Sequence, residues 1–164
     1  MASLIKGLHH ITALAKDAQK NLDFYAGILG LRLVKKTVNF DAPEIYHLYY
    51  GDEKGSPGTI MTFFPYPDIP KGKQGKGQLT TTSFSISESS IDYWIKRFEK
   101  WKVSFREPFS RFNEIVLSFE DGEGLSLELV AGIEDKREGY SQGPIPKEHA
   151  LKGFYGITLS LECI

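Results

Sequence analysis

Two stretches of this chain follow the same order of elements, and that repetition limits the possible folds more than any other feature. The first opens with Leu8-His9-His10-Ile11-Thr12-Ala13-Leu14, whose alternation of apolar and polar residues predicts a strand. The second opens with Leu79-Thr80-Thr81-Thr82-Ser83-Phe84. Polar residues follow in each case, and then an amphipathic helix: Asn21-Leu22-Asp23-Phe24-Tyr25 with Leu29, and Ser90-Ile91-Asp92-Tyr93-Trp94 with Phe98. Leu22 and Ile91, like Leu29 and Phe98, are 69 positions apart. Three strand-like segments complete each stretch, at 32–40, 46–51 and 59–64 and again at 103–106, 114–120 and 125–130, with Gly58 and Gly124 leading into the last of each set.

The chain therefore reads as β-α-β-β-β written twice, an α+β fold of tandem modules. The boundaries are a first module at 5–66, a Pro-, Gly- and Lys-rich linker at 67–77, a second module at 78–132, and a tail at 133–164 whose end, from Gly153, reads as the opening strand of a truncated third module. One curved sheet with one helix on its back leaves a face uncovered, so the sheets are expected to pair and enclose a cavity, within one chain or across a homodimer. A ligand would sit there.

Composition excludes several classes. Hydrophobic residues at 41% and charged ones at 25% are globular values. With 20 Lys+Arg against 21 Asp+Glu there is no basic surplus for nucleic acid, and no nucleic-acid-binding signature. No apolar run nears the roughly 20 residues that span a bilayer, and the start, MASLIKGLHH, lacks the apolar core of a signal peptide. The single cysteine, Cys163, excludes an internal disulfide and has no His or basic cluster beside it, so no role is assigned to it. A cytoplasmic protein without a membrane partner is expected.

Few residues are candidates for chemistry. Alternation places Leu8, His10, Thr12 and Leu14 on one face of the first strand and His9, Ile11 and Ala13 on the other. Glu128 stands between Leu127 and Leu129 in the last strand of the second module. A carboxylate there is costly unless it is paired, hydrated or bound to a metal. Imidazole with carboxylate suits Fe, Mn, Ni or Zn. His47 and His149 read as structural, Lys35-Lys36 as solvated surface, and Tyr46, Tyr49, Tyr50, Phe63 and Phe64 as either core or the lining of an aromatic pocket.

Several motifs carry a family resemblance. Leu8-His9-His10-Ile11-Thr12, Phe24-Tyr25, the run from Leu29-Gly30-Leu31-Arg32 to Asn39-Phe40-Asp41, Tyr46-His47-Leu48-Tyr49-Tyr50-Gly51-Asp52 and Gly55-Ser56-Pro57-Gly58-Thr59 resemble the amino-terminal part of hydroquinone-type ring-cleaving dioxygenases of the vicinal oxygen chelate superfamily. The likeness resumes at Arg137-Glu138-Gly139-Tyr140 and Pro144-Ile145-Pro146-Lys147-Glu148-His149. The resemblance implies the glyoxalase/bleomycin resistance/dihydroxybiphenyl dioxygenase fold and an extradiol-type enzyme that takes a small aromatic substrate and O2. It implies Fe(II), with Mn(II) or another divalent metal as the alternative, and His10 as a metal ligand with His9 and Thr12 beside the site. Family members carry four modules and draw their other His and Glu ligands from the fourth, so this chain corresponds to the amino-terminal half. If the first module of one copy paired with the second module of another, the shared site would offer His10 and Glu128 only, with Thr81 standing where a histidine would be needed. Two rival readings are a metal-free module that sequesters a small aromatic compound and a lyase or isomerase of glyoxalase type.

Overall fold

The computed structural model describes residues 4–132 and 134–162, and Cys163 lies outside them. Nine strands form two sheets. The first contains β1 (His10–Ala15), β2 (Arg32–Val38), β3 (Tyr46–Gly51) and β4 (Ile60–Pro65) in the order β1-β4-β3-β2. The second contains β5 (Gln78–Ile86), β6 (Phe109–Arg111), β7 (Glu114–Glu120), β8 (Ser126–Ala131) and β9 (Gly153–Ser160) in the order β6-β7-β8-β5-β9. The repeat is thus reproduced in its strand order, with β9 added at one edge of the second sheet. In each unit the first strand pairs in parallel with the last, and the third pairs antiparallel with that last strand. The α+β class and the tandem modules are as the sequence indicates.

Each helix belongs to the same repeat. Asp17 caps α1 (Ala18–Leu22), its carboxylate accepting from the backbone N–H groups of Gln19 and Lys20 at 2.9 and 3.0 Å. The chain then widens into a π-helix at Asp23–Ile28, closed by the Leu29 N–H donating to Phe24 O. Its counterpart α2 (Ile91–Trp101) is an ordinary α-helix that buries Ile91, Trp94 and Phe98. Tyr25 and Trp94, 69 positions apart, are both fully enclosed. Burying an aromatic side chain of this kind contributes about 2–3 kcal/mol by area.

One strand lies elsewhere than the sequence indicates. Residues 103–106 run beside β7, with Arg106 N–H donating to Ser118 O and Glu120 N–H to Ser104 O, but they form only an isolated bridge between Phe105 and Phe119. Pro108, which has no N–H to donate, follows them, and regular pairing resumes at β6 (Phe109–Arg111).

The sheets pair through their helix sides. Phe24 stacks on Phe119, the Tyr25 hydroxyl donates to Asp121 at 3.0 Å, and the Arg97 guanidinium donates to the carbonyls of Gly27 and Ile28 at 2.8 and 2.7 Å. Met61 and Phe63 of the first sheet share one apolar core with Phe84, Leu127 and Leu129 of the second. A strap reinforces this contact: Arg137 donates to Asp135, to Gly58 O and to Phe154 O, and Phe154 N–H donates to Gly58 O at 2.7 Å. Gly153, at φ +135°, permits the approach, since a Cβ there would lie 2.9 Å from Gly58 O and 2.6 Å from the guanidinium. No helix among the described residues is long and apolar enough to cross a membrane.

Candidate active face around His10

Strand register assigns side chains to the face of the first sheet that points away from the core. His10 lies opposite Ile60, Thr12 opposite Thr62 and Leu14 opposite Phe64, while Ile11 and Ala15 are buried on the other side. Tyr49 lies opposite Thr62 and Lys35 opposite Tyr49, which extends the same face across β3 and β2. His10, Thr12 and Leu14 are exposed, so this face is open to solvent in a single chain. The hydroxyls of Thr12 and Thr62 share a hydrogen bond of 2.9 Å. A hollow of about 640 Å³ lined by Leu14, Ile45, Tyr66 and Ile69 opens at its far end.

Alternation alone indicates His9 on the face opposite His10; in the structure His9 is exposed and immediately precedes β1. The strand starts at His10, so the two-residue period does not reach His9. Its Nδ1 lies 3.1 Å from the Nδ1 of His10, with the rings edge to face. That contact engages one nitrogen of His10 and leaves Nε2 without a hydrogen-bond partner among the described residues. A histidine oriented through one nitrogen and free at the other is set up to ligate.

Glu128 belongs to the other sheet. It is 7% exposed, and its cost of burial is met by protein: Arg111 donates to both carboxylate oxygens at 3.1 and 2.8 Å, and the Ser83 hydroxyl donates at 2.7 Å. The Glu128 hydrogen bonds also raise the proton affinity of the Arg111 guanidinium, which stays charged. Ser83 lies opposite Glu128 as Thr12 lies opposite Thr62, so Thr81 occupies the place of His10 in the second repeat. Thr81 Oγ1 lies 3.5 Å from Ser126 Oγ. Within one chain His10 and Glu128 therefore stand on different sheets.

Do these residues fit a divalent metal? Among the described residues no group of three or more His, Cys, Asp or Glu side chains converges on one point. His10 fits as one ligand, and the remaining residues do not complete a centre. His47, which the sequence indicates as structural, lies opposite Thr37 on the His10 face with its ring 3.9 Å from that of Phe64 and 4.1 Å from that of Tyr49. The alternation of Tyr46-His47-Leu48-Tyr49-Tyr50 held the signal, since Leu48 and Tyr50 are the buried partners of that pattern. His149 is placed as a structural residue, its Nδ1 3.0 Å from Ser90 Oγ and its ring stacked on Tyr93.

Fold and motif agree with the comparisons. The chain belongs to the Glyoxalase/Bleomycin resistance protein/Dioxygenase superfamily, whose family model matches residues 7–129. It is 46% identical over 162 residues to the Bacillus subtilis protein named "Putative ring-cleaving dioxygenase MhqO", covering 99% of this chain and 52% of that one. It is 38% identical over 161 residues to a chlorohydroquinone/hydroquinone 1,2-dioxygenase of Sphingobium indicum, covering 96% of this chain and 50% of the relative. A crystal structure described as a "putative dioxygenase" from Bacillus subtilis superposes with a TM-score of 0.88 at 47% identity, over 93% of this chain and 49% of that one. The chain thus spans about half the length of the relatives it matches.

Proposed function

We propose that this chain is the amino-terminal half of an extradiol-type ring-cleaving dioxygenase acting on hydroquinone- or catechol-like aromatics with O2, and that His10 is one protein ligand of its iron(II). The observation that carries the proposal is an open His10 face beside an unpaired strand edge, in a chain half as long as the dioxygenases it resembles. Among the described residues β1 pairs only with β4, whereas its counterpart β5 is covered by β8 on one side and β9 on the other. An uncovered edge invites pairing. A strand from the rest of the polypeptide, or from a second copy, would close it and bring the ligands that these residues lack. Iron suits a set of imidazole and carboxylate ligands with open positions, and manganese is the nearest alternative.

This chain's own residues would orient and bind. His9 holds the His10 ring through Nδ1 and directs Nε2 outward. Thr12, fixed by Thr62, presents a hydroxyl one step further along the same face. Charging the complete gene product with Fe(II) and hydroquinone should produce oxygen uptake, and His10→Ala should abolish it. Undiminished uptake by the variant would sink the proposal.

The ion pair of Glu128 with Arg111 favours a second reading, a metal-free module that sequesters a small aromatic compound. Elemental analysis of protein purified without added metal separates the two, because stoichiometric iron or manganese counts against sequestration.

A further inference from the structure

The outward face that carries His10 runs on past the last paired residues of its strands. Asn39, Ile45 and Tyr66 continue the alternation of β2, β3 and β4 beyond Thr37, His47 and Phe64, with Asn39 N–H donating to Ile45 O at 2.7 Å and Tyr66 N–H to Ala15 O at 2.8 Å. The Asn39 side-chain amide donates to the Tyr66 hydroxyl at 2.9 Å and holds the ring in place. The linker then turns back on itself, Ile69 N–H donating to Tyr66 O at 3.2 Å, and Ile69 joins Leu14, Ile45 and Tyr66 in the wall of the 640 Å³ hollow. A segment whose composition marks an exposed connector thus supplies one side of a cavity.

A ligand can enter this hollow. Leu14 is 56% exposed, and Ile45, Tyr66 and Ile69 are half-buried. Glu44 and Asp68, both exposed, add carboxylates beside these aliphatic and aromatic side chains. One strand fixes the hollow relative to His10: Leu14 follows four residues later on the same face, about 13 Å along β1 at the ordinary rise, with Thr12 between them. A dihydroxybenzene is shorter than that interval. Held at His10 it lies over Thr12 and stops short of Leu14, so only a substituent of several atoms reaches the hollow. A saturated chain placed against these apolar walls gains about fourfold in affinity for each methylene it buries, and a carboxylate gains nothing there and faces two others.

We propose that this hollow seats an apolar substituent on the ring of the aromatic ligand, so that the site favours alkyl-substituted dihydroxybenzenes over unsubstituted and carboxylated ones. The place of the ring at His10 rests on the dioxygenase reading; the apolar seat does not. The test is anaerobic binding of methyl-, propyl- and pentylhydroquinone to the complete gene product. Affinity should rise from the methyl to the pentyl compound by about 16-fold, the worth of two buried methylenes, and a pentyl chain ending in a carboxylate in place of its methyl group should lose that gain. Leu14→Gln on the strand and Ile69→Gln on the linker should each cut the pentyl-to-methyl ratio to about fourfold or less. In the unaltered protein, the pentyl but not the methyl compound should shift the side-chain methyl resonances of Leu14 and Ile69, a readout that no folding defect can mimic. A ratio near one in the unaltered protein, a ratio that survives both substitutions, unmoved resonances, or equal affinity for the carboxylate-ended chain would each overturn the seat. Alkyl selectivity without oxygen uptake would sink the dioxygenase reading and leave the seat standing.

Discussion

The two modules share a topology and differ in how their outward faces are finished. In the second, the edge of β5 is covered by β9, and the buried carboxylate of Glu128 is held by Arg111 and Ser83. In the first, the edge of β1 is bare among the described residues, and the face carries the His10 imidazole, engaged there at Nδ1 alone, beside neutral hydroxyls and aromatic rings. A carboxylate already held by a guanidinium and a hydroxyl has little left to offer a ligand. An exposed imidazole with one nitrogen engaged is where a cation has a partner to gain.

The largest effect should come from separating these faces by metal content. In the complete gene product purified without added metal, His10→Ala should lower iron affinity by about 100-fold or more, since loss of a ligand exceeds the 10–100-fold cost of losing a residue that only supports one. Glu128→Gln should leave iron per chain unchanged. A loss of iron in Glu128→Gln would reverse the contrast between the modules.

Next in size is the ion pair itself. Arg111→Ala leaves Glu128 buried and uncompensated apart from Ser83, and should cost about 2 kcal/mol in urea unfolding. That is less than the roughly 3–5 kcal/mol of a fully buried pair, because Arg111 is partly exposed to solvent and screened. Arg111→Met combined with Glu128→Leu should recover most of the loss, since apolar replacement of both partners is close to neutral. Equal stability of Arg111→Ala and the unaltered chain would show that Glu128 draws its support elsewhere.

Why was this pair hidden while the repeat was legible? Periodicity is a local property, and the Leu8 to Leu14 alternation, the 69-residue helix offset and the placing of Gly58 and Gly124 all survive in a linear reading. An ion pair across strands depends on which strands exist. Taking 103–106 as the first strand after α2 removes β6 from view, and with it Arg111, whose position opposite Glu114 aligns it with the Glu128 side of the sheet. The same limit applies to His9, whose orientation depends on where β1 begins, and to the bare edge of β1, which is a property of the assembled sheet. The His10 and Thr12 face was readable because two residues of one strand need only the strand's own period.

The smallest effect concerns the cover on the second module. β9 is strapped to the first module by Arg137, which Asp135 holds through hydrogen bonds of 2.6–3.0 Å to its guanidinium. Burial by itself would raise the Asp135 carboxyl, but the hydrogen bonds from the Arg137 side chain and backbone outweigh it and hold the pKa at about 2, against an ordinary 3.8. A carboxyl with a depressed folded pKa contributes stability above its unfolded value and loses it as the pH falls toward the folded one. The chain should therefore lose part of its stability between pH 3.8 and about 2 through this group, and Asp135→Asn should be weaker at neutral pH and flatter across that window. Unfolding midpoints in urea at stepped pH measure the difference. Parallel acid profiles for the two proteins would mean that Arg137 holds β9 through Gly58 O and Phe154 O without help from Asp135, and that the covered edge owes its cover to backbone pairing alone.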